Sequence, residues 1–361
     1  MNKGLKILLL PLAFLYGLIT LIRNRLFDWK ILSQKEFDIP TIGVGNLSVG
    51  GAGKTPLVEY MIRLLQSENI PPATLSRGYK RKTKGFLLAT DLSTADDIGD
   101  EPLLYKSKYQ VQVAVDGNRP RGVQTLMSLN PPPAVLLLDD VFQHRAIRCG
   151  LNVVVSDFNH LYFKDQMLPA GTLREFPSGI KRADVIVISK TPDYTSPVEI
   201  RTLLKDIGAR AHQQVFFSYL KYGDLYSVHD RSQQMGTLTD LFRYRCILFS
   251  GIANPAPMIT YLKEYAAEVK HLPFPDHHDF TEKDLSDMER YYHSFSGGNK
   301  IMVTTEKDLM RLKKPELWDL VKTMNIYILP VEVSFKEKEE EFNSLILKYV
   351  RSYRIHHHKY T

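Results

Sequence analysis

Between Thr41 and Tyr60 the chain reads TIGVGNLSVGGAGKTPLVEY, and no other stretch limits its possible folds so sharply. An apolar β-type run, Pro40 to Val44, gives way to a loop of small residues. Lys54-Thr55-Pro56 follows, then apolar residues at helical spacing: Leu57, Val58, Met61, Ile62 and Leu65. Strand, glycine loop, Lys-Thr and helix in that order form a P-loop. Its glycines let successive backbone N–H groups point at an anion, and the helix N-terminus adds partial positive charge. The loop Ser48, Val49, Gly50, Gly51, Ala52 and Gly53, with Lys54 and Thr55, is therefore expected to hold a nucleoside triphosphate. Lys54 would reach the β- and γ-phosphates, and the Thr55 hydroxyl would serve Mg²⁺. Ser48 stands where the usual pattern starts with glycine. The bland alternative, a glycine turn with a chance Gly-Lys-Thr, does not account for the strand and helix patterns on either side. Gly43, Gly45 and Ser48 lack the third glycine of a dinucleotide fingerprint, which excludes that reading.

After this helix, apolar runs recur at a βα rhythm: Ala73–Leu75, Val111–Val115, Ala134–Leu138, Val153–Val155 and Val185–Ile188. That alternation predicts a parallel sheet with helices on both faces, whose ligands gather at the strands' carboxyl ends. The residues there are chemically rich. Ser76-Arg77-Gly78-Tyr79 precedes a basic run, Lys80-Arg81-Lys82. Asp139 and Asp140 end an apolar strand as the metal-holding acid of a Walker B element does. Gly99-Asp100-Glu101-Pro102 sets two carboxylates before a helical stretch, where Asp100 is either an N-cap or a functional acid. Leu168-Pro169-Ala170-Gly171-Thr172-Leu173-Arg174-Glu175 is a Pro/Gly loop ending in an Arg–Glu pair.

Near residue 212 the pattern changes. Residues 213–228 read as two short strands around a Tyr-Gly-Asp turn, expected to be a linker. A second α/β set follows: strands at Cys246–Phe249, Val269–Leu272, Ile301–Val303 and Ile326–Val333, and a last helix from Glu337. Thr281 with Asp284 and Thr305 with Asp308 are expected to cap helices. In Asp276-His277-His278-Asp279, adjacent histidines rarely ligate one ion. A catalytic or phosphate-contacting histidine is the better expectation. Of the three histidines His356–His358 near the C-terminus, a bare basic tail is expected rather than a metal site.

At the other end, Ile7 to Ile22 is almost wholly apolar, with Lys3 and Lys6 before it and Arg23, Arg25 and Lys30 after. Sixteen helical residues would span about 24 Å, short of the roughly 30 Å hydrocarbon core. Pro11 and Gly17 are expected to weaken the helix further. The basic flanks suit docking to an anionic leaflet, and Arg23-Asn24-Arg25 takes the place of a signal-cleavage site. A buried core helix is the alternative. Net charge of +7 over 361 residues points to an anionic partner. Two cysteines, Cys149 and Cys246, give no disulfide framework. No nucleic-acid module is present, so nucleic acid is not expected as a partner.

With those residues in place, the chain resembles the tetraacyldisaccharide 4′-kinase family, the lipid A 4′-kinases. The resemblance rests on VGNLSVGGAGKTP, LSRGY, GDEP, LLLDDVFQH, LPAGTLRE, RAD, GIANP, FPDHH and TEKD, in family order over nearly the whole chain. It implies transfer of the γ-phosphoryl of ATP, with Mg²⁺, to the 4′-hydroxyl of an acylated glucosamine disaccharide 1-phosphate. The implied place is the cytoplasmic face of the bacterial inner membrane. By resemblance, Asp100 is the base for the sugar hydroxyl, assisted by His277, and Lys54 and Thr55 serve phosphate and Mg²⁺. Asp139, Asp140 and Glu175 lie near the metal. Val141 replaces the family's usual glycine; a β-branched residue resists positive φ, so the loop after Asp140 is expected to differ slightly. The expected organisation is a membrane-associated helix over residues 1–30, a P-loop kinase domain over 31–212, the linker over 213–228, and a smaller α/β domain over 229–361. The competing reading is a membrane-tethered P-loop ATPase switch acting on a protein partner.

Overall fold

The computed structural model describes residues 3–235, 238–295 and 298–357. Of the tail histidines, His358 lies outside the described residues, as do the side chains of His356 and His357.

The chain opens with α1 (Lys3–Asp28), then β1 (Thr41–Gly45) and α2 (Lys54–Ser67). β2 (Pro72–Ser76), β3 (Leu87–Leu88), α3 (Ala95–Ile98) and α4 (Asp100–Lys108) follow, then β4 (Gln112–Val115) and α5 (Arg119–Met127). Next come β5 (Val135–Asp139), β6 (Leu151–Asp157), β7 (Val185–Ser189), α6 (Pro197–Ile207) and β8 (Gln214–Tyr222). The remainder is β9 (Tyr226–Ser227), β10 (Tyr244–Ser250), α7 (Ala256–Tyr265), β11 (Glu268–Pro273), α8 (Glu282–Ser294), β12 (Asn299–Thr305) and α9 (Glu306–Leu312). α10 (Pro315–Thr323), β13 (Ile326–Leu329), β14 (Val331–Phe335) and α11 (Glu339–His357) complete it.

Nine strands form the large sheet in the order β14-β8-β7-β6-β1-β5-β2-β4-β3, parallel except at its two edge pairings. The continuous burial of β1, β2, β5 and β7 is what helices on both faces impose. β1 lies between β5 and β6, so the P-loop and the end of β5 emerge side by side. The small sheet runs β11-β10-β12-β13-β9, antiparallel only at β9.

The expected linker and domain boundary do not survive. β8 pairs with β7 inside the large sheet and carries buried Phe216, Phe217 and Ser218, while β9 joins the small one. The single strand expected over Ile326–Val333 splits at Pro330, which has no N–H to offer a ladder. β13 stays in the small sheet, and β14 crosses to pair with β8. α11 then returns to the large domain, where Phe342, Ile346 and Val350 are fully buried in the core that also holds α2. Each such side chain contributes about 1.5–3 kcal/mol, against about 0–1 kcal/mol for an exposed ion pair such as Arg351–Glu68. Apolar packing is what keeps the C-terminus on the kinase body.

α1 also departs from expectation. It continues through Pro11 and Gly17 to Asp28, and its span from Gly4 is long and apolar enough to cross a membrane. Gly17 is a close-approach residue: a Cβ there would lie 2.7 Å from the Phe176 ring. Ala13, Gly17, Thr20 and Asn24 recur on one face, with Ala13 and Thr20 buried against the body. Ile7, Leu8, Phe14 and Ile19 stay 67%, 74%, 68% and 59% exposed.

Candidate active site

The site begins where β1 ends. Gly53, at φ +86°, is the N-cap of α2 in a left-handed conformation that suits glycine. Outside supports fix the loop. The Val49 amide donates to Thr172 O at 2.8 Å, Ser189 Oγ to Ala52 O at 2.6 Å, and Lys190 Nζ to Gly51 O at 2.5 Å. Lys54 Nζ donates to Asn46 Oδ1 at 3.0 Å and stands 3.3 Å from Asp140 Oδ1. Thr55, buried, donates to Glu101 Oε1 at 2.8 Å.

The two aspartates at the end of β5 differ. Asp140 takes φ +49°, which a short acid tolerates, and this removes the strain expected at Val141. Val141 packs, buried, against Gly43. Burial raises the Asp140 pKa, but Lys54 and the Arg174 guanidinium, 2.9 Å away, outweigh it and hold the group at about 2. Asp139 is fully buried; burial and the Glu101 carboxylate push it up to about 6 against the pull of Lys54. Tyr105 donates to its Oδ2 at 2.9 Å, while Oδ1 is buried with no hydrogen-bond partner among the described residues. An orphaned carboxylate oxygen and the Thr55 hydroxyl are a donor set that a hard cation fits. Among the described residues no cluster of three or more His, Cys, Asp or Glu forms a self-contained metal site. Glu175 has both oxygens bound by Arg182 at 2.9 Å.

Across the cleft, the start of α4 in the large domain and residues of the small domain supply the rest. Asp100, expected as either cap or acid, is the first residue of α4, whose cap is Gly99. Its Oδ2 accepts from Arg311 Nη2 at 2.6 Å and Nε at 3.1 Å, and lies 2.8 Å from His277 Nδ1. Its Oδ1 accepts the Glu101 amide at 3.1 Å. Burial raises the Asp100 pKa, but the His277 hydrogen bond and the Arg311 charge hold it well below the usual carboxylate range. His277 sits at φ +55°, its amide tied to Gly251 O at 3.0 Å. Strain of that kind, of order 1–3 kcal/mol, persists only where surroundings over-determine it. Lys307 Nζ meets Glu101 at 2.5 Å, and Lys80 Nζ meets His277 O at 3.0 Å, closing the second domain over the first. Deeper in the same seam, Lys108 bridges Glu59 at 2.6 Å and Glu306 at 2.8 Å.

His278 instead pairs with Asp284 at 3.1 Å, beside the Thr281 capping box. Thr305 caps α9 as expected. Of the basic run, Arg81 and Lys82 hold their own loop through Gly85 O and Asp96.

Several residues escaped the sequence reading. Arg311 and Tyr105 lie in ordinary helical patterns, and Lys307 stands out only as a member of TEKD, with no role of its own. Arg119, at the start of α5, is 1% exposed, and its Nε and Nη2 have no partner among the described residues. Burial and nearby Arg77 lower its pKa to about 10 against the pull of Asp139 and Asp140. It lines a cavity of about 640 Å³ with Ser33, Lys35, Asn118, Arg121 and His144. Burial, then Arg119, press His144 down to about 4.

A family model described as tetraacyldisaccharide-1-P 4′-kinase matches residues 5–351. The tetraacyldisaccharide 4′-kinases of Parabacteroides distasonis and Flavobacterium johnsoniae are 42% and 43% identical to this chain over 356 and 351 residues. The alignments cover 97% and 96% of this chain and 96% and 98% of theirs. Among solved structures, the "apo" form of LpxK from Aquifex aeolicus in complex with ATP is similar at TM-score 0.73 and 32% identity. That match covers 96% of this chain and 99% of the other.

Proposed function

The chain belongs to the tetraacyldisaccharide-1-P 4′-kinase family, and from that premise we propose how its residues divide the work. The activity is transfer of the γ-phosphoryl of ATP to the 4′-hydroxyl of a tetraacyldisaccharide 1-phosphate, a lipid A precursor. The observation that carries the division of labour is the meeting of P-loop and Asp100–His277–Arg311 cluster across one cleft.

Loop 48–55 takes the triphosphate. Lys54, held by Asn46 and Asp140, neutralises charge on the transferred group. Thr55 and Asp139 are the residues that would hold Mg²⁺, which when bound screens the β- and γ-phosphates. Asp140, with both oxygens on Arg174, holds Lys54. Asp100 Oδ1 has lone pairs to spare for the 4′-hydroxyl, whose proton it accepts, while Oδ2 stays committed to His277 and Arg311. His277 keeps Asp100 charged and aimed. A sugar hydroxyl needs such help at neutral pH, and positioning supplies most of the remainder.

The acceptor's anionic headgroup enters beside α1, through the cavity that holds Arg119. A buried guanidinium with unmade donors suits an anion. Arg119→Ala should raise the acceptor KM about tenfold or more, as loss of a charge-assisted contact does, with ATP KM unchanged. A rise in ATP KM alone would move Arg119 to the nucleotide.

α1 is the proposed membrane attachment, on the cytoplasmic face of the inner membrane, with its exposed apolar side in the leaflet. Flanking Lys3, Lys6, Arg25 and Lys30 would each add about 1 kcal/mol near anionic lipid. Deleting residues 1–24 should move the protein from sedimenting with anionic vesicles to the supernatant. Retention on the vesicles would place the attachment elsewhere.

A further inference from the structure

Glu175 is 1% exposed and bonded through both carboxylate oxygens. Its Oε2 accepts from Asn24 Nδ2 of α1 at 2.8 Å and from Arg182 at 2.9 Å. Its Oε1 accepts from Arg182 at 2.9 Å and from Gln143 Nε2 at 3.0 Å. Gln143 Nε2 also donates to the Asn46 carbonyl at 2.9 Å, and Asn46 Oδ1 holds Lys54 at 3.0 Å. A second path runs from Gln143 Oε1 through Arg174, at 3.4 Å, to Asp140 and so to Lys54.

The chain Asn24–Glu175–Gln143–Asn46–Lys54 thus joins the apolar N-terminal helix to the phosphate loop. Two further observations bear on it. Asn24 Oδ1 is buried without a partner among the described residues, a costly arrangement that its donor to Glu175 offsets. Phe176, the residue after Glu175, fills the space that a Cβ on Gly17 would take, so α1 cannot shift without moving this loop.

We propose that Glu175 and Gln143 are positioning residues that tie the seat of α1 on the kinase body to the placement of Lys54. A helix docked in the leaflet and seated on the body sets the lysine in catalytic register. A helix unseated from the body releases it. The inference rests on Lys54 being the lysine that serves the transferred phosphate.

The test uses the full-length protein with acceptor in mixed micelles. Asn24→Ala lies on α1, outside the catalytic cleft. It should lower kcat about tenfold, a size reached when a catalytic group is displaced by well under 1 Å. Acceptor KM, vesicle sedimentation and melting temperature should hold. Asn24→Asp, which sets a like charge against Glu175, should lose more. Asn24→Ala combined with Gln143→Ala should be no worse than the weaker single variant, because residues of one chain of contacts are not additive. Unchanged kcat in both Asn24 variants, a loss confined to acceptor KM, or multiplying effects in the double variant would overturn the proposal. Lys54→Ala, run alongside, separates the two readings: if it retains full transfer, the assignment of Lys54 fails first.

Discussion

Lys54→Ala is expected to lower kcat by about three orders of magnitude or more, in the range of removing a principal charge from a phosphoryl-transfer site. The ammonium is held on two sides, 3.0 Å from Asn46 Oδ1 and 3.3 Å from Asp140 Oδ1, so it is set in place before substrate arrives. Removing it also takes away one of the two cations, with Arg174, that hold Asp140 at about 2. Two changes therefore act in one direction: the phosphate loses its cation, and Asp140 loses one of its two counter-charges. Single-turnover transfer at saturating ATP measures the first cleanly. A drop of less than tenfold would remove Lys54 from the centre of the mechanism.

The second large effect belongs to Asp100. Asp100→Asn keeps the shape of the side chain but removes its charge, and kcat should fall about a thousandfold, within the usual span for a general base. ATP binding, which depends on the loop across the cleft, should stay near normal. The asparagine variant is preferred because its side-chain oxygen can still accept from Arg311, whereas Asp100→Ala leaves that guanidinium with Asp308 and the Gly251 carbonyl alone. That change would also loosen the seam between the domains, because a buried ion pair across it is broken. The pH behaviour follows from the depressed pKa of Asp100. Its stabilising contribution is complete above the unfolded carboxylate value and is lost as pH falls through the lower folded value. Wild-type melting temperature should therefore fall steeply only at strongly acidic pH, and Asp100→Asn should flatten that limb. Wild-type turnover in Asp100→Asn would exclude it as the base.

What the sequence made legible was local. The phosphate loop, the aspartates closing an apolar strand and the capping threonines each depend on a few neighbouring residues, and each lies where its pattern puts it. What it hid was long-range. Nothing in VFFSYLKY says that this strand pairs with β7 on one side and β14 on the other, because a short apolar run is equally at home in either sheet. Pro330 was the available signal that one apolar run was two strands. Arg119, Arg311 and Glu175 gain their meaning from partners, or from the lack of them, contributed by distant elements. At Val141 a sound steric rule met the wrong residue, since the positive φ falls on Asp140.

The central claim is that one cleft, built by the P-loop and by the Asp100–His277–Arg311 cluster, moves phosphate from ATP to a lipid hydroxyl. Its most direct test is transfer of labelled γ-phosphate from ATP, with Mg²⁺, to a purified acylated glucosamine disaccharide 1-phosphate in detergent micelles. The account predicts label at the 4′ position of the lipid with the wild-type protein and almost none with Lys54→Ala or Asp100→Asn. ATP hydrolysis without labelled lipid, in folded protein, would contradict it and favour a nucleotide-driven switch.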